Sequence, residues 1–149
     1  MSAAGSSFHK QRIAVARCGK PSAVSVPEVV RVHPKDILGR QGEQRAADYL
    51  REAGFRVLDR NYRCADGELD IVAAERRILV ACEVKTRSGV RYGTPFEAVT
   101  PQKLKRLRRL AVRWVVAHGV IFDELRVDLI GVLRTGTDDF TIEHLRGVG

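Results

Sequence analysis

Cysteine, methionine and aromatic side chains are scarce in this chain. Among 149 residues there are three cysteines, one methionine and one tryptophan, and aromatics make up 6%. Cys18, Cys64 and Cys82 are odd in number and form no C-x-x-C pair, which argues against a closed disulfide framework and the usual zinc spacings. Such usage fits a reducing, cytoplasmic compartment. No stretch approaches the ~18 apolar residues of a membrane span, so no membrane partner is expected. Ile13-Ala14-Val15-Ala16 is too short for the apolar core of a signal peptide. His9, His33, His118 and His144 show neither zinc nor nuclease spacing. No G-x-x-x-x-G-K-[ST] loop and no G-x-S-x-G elbow occurs, which removes P-loop NTPase and α/β-hydrolase chemistry. The sequence has no internal repeat.

Positive charge is plentiful. Lysine and arginine outnumber the acids 26 to 18, for a net charge of +8 and a pI near 9.9, a balance that favours a polyanionic partner, most often nucleic acid. The first 27 residues contain no acid, as in a transit peptide, but a solvated basic tail is the plainer reading. Residues 1–36 follow neither the helical nor the strand period, and we expect them to be disordered. One modest domain, 37–149, is expected to follow.

Within that domain, Asp36 suits the N-cap of a helix over Ile37–Ala53 stopped by Gly54, with Leu38, Ala46, Tyr49, Leu50 and Ala53 as its apolar stripe. Strands are expected at Phe55–Leu58 (with an extension to Tyr62 allowed), at Glu68–Ala73 after the Asp66-Gly67 turn, and at Ile78–Thr86. The Gly-containing loop Arg87–Pro95 leads to Thr100-Pro101, an N-cap followed by proline at the first helical position. That second helix should run to His118 before Gly119, burying Leu104, Leu107, Ala111, Trp114 and Val115. Strands at Leu125–Leu133 and Phe140–Leu145 complete an α-β-β-β-α-β-β order, an α/β fold with a mixed sheet flanked by helices.

The residues most suggestive of chemistry are Asp70, Glu83 and Lys85. Strand side chains alternate, so Glu83 and Lys85 share a face, as do Glu68, Asp70 and Val72. A hairpin with Arg76-Arg77 at its tip would set Asp70 directly opposite Glu83. Two carboxylates and an ammonium are costly to bury together unless a cation or a phosphate completes the group. Magnesium bound by one or two carboxylates, with a lysine beside it, meets the needs of phosphodiester hydrolysis. An exposed Glu–Lys ladder is the plain alternative for E-x-K. Against it, Leu79, Val80, Ala81, Cys82 and Val84 mark a central, buried strand. Glu43 leans toward the core face of the first helix and either reaches the same metal or pairs with Arg40 or Arg45, spacing favouring the pair slightly. Glu68 is either a further ligand or a solvated carboxylate beside a turn. Lys103, Lys105, Arg106, Arg109 and Arg113 put cations around the outer face of the second helix, where phosphate contact and a solvated basic face are about equally favoured. Arg60, Arg63, Arg87 and Arg91 would lie nearer the acids.

The pairing of Gly67-Glu68-Leu69-Asp70 with Glu83-Val84-Lys85-Thr86-Arg87 resembles the YraN-like family of small uncharacterised bacterial proteins. Gly42-Glu43, Tyr49-Leu50, Gly54, Asn61-Tyr62-Arg63, Ala98-Val99-Thr100, Lys103 and Arg126-Val127-Asp128 support the resemblance, which covers roughly 37–149. That family is similar to the PD-(D/E)xK nuclease superfamily, in its Holliday-junction-resolvase-like branch. The resemblance implies a restriction-endonuclease-like αβββαβ core, with Asp70 and Glu83 as metal ligands, Lys85 as catalytic lysine and Glu43 as the helix-borne acid. Leu69 stands where the superfamily's name has proline. The leading expectation is a Mg²⁺- or Mn²⁺-dependent endonuclease acting on DNA, with branched or damaged DNA as candidate substrates and with monomer and homodimer both open. A nucleic-acid-binding module with a vestigial site and an accessory scaffold are the alternatives.

Overall fold

The computed structural model describes residues 32–89, 96 and 99–149. Most of the expected tail, residues 1–31, and Arg91 lie outside the described residues.

Helix α1 spans Pro34–Glu52, three residues earlier than Asp36 as an N-cap predicts. Pro34 is the reason: its fixed φ suits the first helical position, and its missing N–H is one the helix would leave unpaired anyway. His33 is the extended N-cap, and its carbonyl accepts from the N–H groups of Asp36 and Ile37 at 2.9 and 3.3 Å. Asp36 instead sits in the first turn, where its charge opposes the helix dipole favourably. Gly54, at φ 90°, ends the turn as expected. The buried face is Gly42, Ala46, Ala47 and Leu50; Leu38 and Tyr49 are half-buried, and Ala53 is exposed just past the end.

Five strands follow: β1 Arg56–Cys64, β2 Gly67–Glu75, β3 Ile78–Ser88, then β4 Glu124–Arg134 and β5 Phe140–Leu145 after helix α2, Pro101–His118. They lie side by side in chain order. Every neighbouring pair is antiparallel except β3–β4, which is parallel because α2 carries the chain back between them. The result is a mixed α/β fold with the restriction-endonuclease-like αβββαβ order, plus β5. Helix α1 packs on one face against Ile71, Ala73, Val80, Cys82, Ile130 and Val132. Helix α2 covers Leu69, Val72, Leu79, Ala81 and Val127 on the other.

Thr100 caps α2, its Oγ1 accepting from the Lys103 N–H at 3.2 Å, and Gly119 ends it in the left-handed conformation. Its buried residues are Leu107, Leu110, Ala111 and Trp114, so Leu110 joins the expected stripe while Leu104 and Val115 flank it. Strand β1 runs well past Leu58 because a bulge there, where the register shifts between Val57 and Asp59, absorbs the break in alternation.

Two features set up the site. The β2–β3 hairpin turns at Arg76-Arg77, as expected, and its ladder runs from Glu75–Ile78 to Ile71–Cys82, then stops. Pairing of β3 with β4 continues to Ser88–Arg134. The sheet therefore forks: beyond Cys82, β3 has a neighbour on one side only. Nearby on β4, Asp128 is fully buried and accepts from Arg126 Nε (2.8 Å) and Nη2 (2.9 Å), His144 Nε2 (2.9 Å) and the Gly147 N–H (2.9 Å).

Candidate metal and nucleic-acid site

Asp70 lies on β2 at the point where the sheet forks. Its relation to Glu83 differs from the expected one: the two do not form a ladder rung, and the Asp70 side chain reaches across instead, Oδ2 accepting the Val84 N–H at 2.7 Å. A carboxylate thus replaces the carbonyl that a continuing β2 would have offered. Burial pushes the Asp70 carboxyl up to about 7; the charge of Glu83 adds to the rise, the Val84 N–H opposes it, and Glu43 and Glu68 raise it further. Carboxylates from α1, β2 and β3 therefore all bear on Asp70.

Glu83 and Lys85 follow on β3, both half-buried. Glu83 forms an ion pair with Lys103 of α2, the side chains being 17% and 24% exposed. Both lysines line a small cavity with Glu83, Val99 and Leu129. Lys85 also lines a larger groove of about 510 Å³ between α1 and the free half of β3, together with Glu43, Leu38, Gly39, Thr86 and Arg87. Glu43 reaches this groove because its neighbour Gly42 lets α1 sit close on β3: a Cβ at position 42 would collide with the Thr86 side chain, lying 2.8 Å from its Cβ. Among the described residues Glu43 makes no ion pair with Arg40 or Arg45. Glu68 is exposed and paired with Arg63 at 3.0 Å.

This donor set suits a hard cation, since all four acids offer oxygen. Among the described residues no three of His, Cys, Asp and Glu are gathered tightly enough to cage an ion. Magnesium does not require a cage, because it keeps several waters and binds through one or two carboxylates plus a substrate phosphate. Asp70 and Glu83 fit that role. The ammonium of Lys103 already stands on Glu83 as a cation, and the raised Asp70 carboxyl marks negative charge that the protein leaves uncompensated.

The basic residues divide into two groups. Arg63 is held by Glu68, Arg113 by Asp66 and Lys103 by Glu83. Lys105, Arg106 and Arg109 are exposed on α2 and have no acid partner among the described residues. Arg87 is half-buried in the groove wall, and Arg60 donates to Gln44 Oε1 at 2.8 Å. Sequence reasoning missed the Lys103–Glu83 pair, for no periodicity links residues on a strand and a helix separated by a loop. It also gave no role to His144, whose ring bridges Asp128 and the Tyr49 hydroxyl, 3.2 Å away.

A family model described as "Uncharacterised protein family UPF0102" matches residues 42–132. The chain is 52% identical to a UPF0102 protein of Arthrobacter sp. over 77% of this chain and 98% of the relative. It is 50% identical to one of Nocardioides sp., over 77% and 93%, and 50% identical to one of Kineococcus radiotolerans, over 80% and 99%. The matched span takes in all four acids and both site lysines.

Proposed function

The chain belongs to the uncharacterised protein family UPF0102, the YraN-like family found in bacteria, and from that premise we propose that it is a magnesium- or manganese-dependent DNA endonuclease, acting on branched or damaged DNA in the cytoplasm. The observation that carries this reading is Asp70: a carboxyl pushed up to about 7 beside Glu83, on the strand pair that also presents Lys85. Asp70 and Glu83 would hold the metal, with Glu43 and Glu68 adding negative charge around it. A metal so held would neutralise the phosphate and lower the pKa of a bound water. Lys85 would orient the attacking water, take its proton or hold the charge that develops on the phosphate. Lys105, Arg106 and Arg109 contact the phosphates of the DNA backbone, with Arg87 closer to the groove; Lys103, Arg63 and Arg113 join only on leaving their acids. No helix among the described residues is long and apolar enough to cross a membrane.

The test is cleavage of branched and linear DNA with and without Mg²⁺, alongside Asp70→Ala and Lys85→Ala proteins. Metal-dependent product that vanishes in both variants is expected. Cleavage unchanged in both would remove the site from the account.

One observation favours a second reading, a nucleic-acid-binding module with a vestigial site: Lys103 satisfies Glu83 without a metal. It predicts salt-sensitive DNA or RNA binding and no metal-dependent product at any protein concentration.

A further inference from the structure

We propose that Lys103 is an exchangeable counter-ion built into the site, which holds Glu83 until a divalent cation displaces it. The inference rests on the metal-site reading above and adds a positioning residue to it.

Three observations support it. The Lys103–Glu83 pair is mostly buried, at 24% and 17% exposure, so it is more than an incidental surface contact. Lys103 also occupies the first turn of α2, which contains no acid of its own. The positive end of a helix dipole disfavours a cation there, so the ammonium is held by the β3 carboxylate rather than by its own helix. Finally, Lys85 lines the same cavity, yet Glu83 is ion-paired with Lys103 and not with Lys85. This arrangement leaves Lys85 uncommitted while Glu83 is neutralised.

Lys103 meets Glu83 through Oε1, so a divalent ion taking this carboxylate as ligand is set beside an ammonium, and repulsion between the two cations drives the pair apart. The lysine stem has four rotatable carbons and lets the head group swing away, toward the face of α2 that carries Lys105, Arg106 and Arg109. Metal entry thereby adds one cation to the surface that would meet phosphate. The cost of breaking a mostly buried pair weakens metal binding by about fivefold.

The experiment is Mn²⁺ binding to the full chain without DNA, followed by electron paramagnetic resonance, with folding of each variant checked by circular dichroism. Lys103→Met should bind Mn²⁺ about fivefold more tightly than the unmodified protein. Lys103→Gln should do the same and serves if the Met variant folds poorly. Lys103→Arg, which keeps the pair, should match the unmodified protein. So should Arg51→Met, which removes one positive charge from the last turn of α1. Unchanged or weaker binding in both Lys103→Met and Lys103→Gln, or equal tightening in Arg51→Met, overturns the counter-ion while leaving the metal site standing. Absence of Mn²⁺ binding in every protein, or undiminished binding in Asp70→Asn, overturns the metal-site reading and the counter-ion with it.

Discussion

Replacing Asp70 by asparagine should stabilise the metal-free protein. An aspartate ordinarily ionises near 3.8, and in the folded chain Asp70 ionises near 7, chiefly because burial and Glu83 disfavour its charge. At 1.36 kcal/mol per tenfold change in proton affinity, keeping this carboxylate charged costs up to ~4 kcal/mol. Solvent reaching the half-buried side chain screens part of that, leaving ~2 kcal/mol. The sign follows from linkage: the folded state binds the proton more tightly than the unfolded state. Below about pH 4 both states are protonated and no penalty exists. As pH rises from there toward 7 the penalty grows, and above 7 it is complete. Asparagine carries no charge and can still accept the Val84 N–H through its carbonyl oxygen, so it escapes the penalty. Thermal melts in chelator should therefore show Asp70→Asn ahead by about 4–8 °C at pH 8, with the advantage gone near pH 4. Adding Mg²⁺ should raise the melting temperature of the unmodified protein and not that of the variant. An asparagine variant less stable at pH 8, or one whose advantage does not change with pH, would refute the reasoning.

Three further outcomes follow from the same geometry. Gly42→Ala should cost about 1–3 kcal/mol in denaturant unfolding, because its Cβ meets Thr86, and should weaken Mn²⁺ binding by displacing Glu43; Gly39→Ala, with open space around it, should instead stabilise by ~0.5–1 kcal/mol. Asp128→Ala should destabilise by about 3–5 kcal/mol, since it breaks a buried ion pair and removes the acceptor of Arg126 Nε and Nη2, the His144 ring and the Gly147 N–H, leaving Arg126 only its Glu75 contact at 2.8 Å. Burial tends to raise the Asp128 carboxyl, but His144, Arg126 and the Gly147 N–H outweigh it and hold it near 2, so this group's ~2 kcal/mol of stability should be present above pH 4 and lost as pH falls toward 2, a loss that acid unfolding of the Ala variant should lack. Lys105→Ala with Arg109→Ala should flatten the slope of log Kobs against log[salt] for duplex DNA by about 1.8, at ~0.9 per phosphate contact, while leaving Mn²⁺ affinity in place.

Much of the fold could be read from local rules, because the elements that fix it obey them. Thr100-Pro101 and Gly119 bracket α2 through a cap, a preset φ and a left-handed stop. The Asp66-Gly67 turn and the apolar run of Leu79–Val84 gave the hairpin, its tip and the central place of β3, whereas the alternation expected across Asp70 is broken, Leu69 and Val72 both facing α2 and Ile71 facing α1. Helix α1 began earlier than expected because Pro34 lies in a polar stretch where no apolar period signals a helix. The second half of β1 was foreseen only as an optional extension to Tyr62, since the extra residue at the Leu58 bulge inverts the alternation on which strand reading depends. At the site, the shared face of Glu83 and Lys85 was readable from period two, and the nearness of Asp70 from hairpin register. The fork was not, because the ladder ends when a side chain replaces a backbone acceptor, and pattern does not record that exchange. Nor was Lys103, whose position on Glu83 depends on how α2 crosses the sheet.

The fork also bears on how the site moves. Strand β3 is an interior strand as far as Cys82 and an edge strand thereafter, so one continuous segment has two different opening free energies. Its first half separates from β2 and β4 only when the whole domain unfolds, while Glu83 through Ser88 can part from their surroundings by giving up one ladder, the Asp70–Val84 bond, the Lys103–Glu83 pair and the contact of Thr86 with α1. Amide exchange along β3 should therefore fall into two rate classes that meet near Val84. The residues proposed to do chemistry lie in the faster class, so the segment can adjust around a substrate without drawing on the stability of the core.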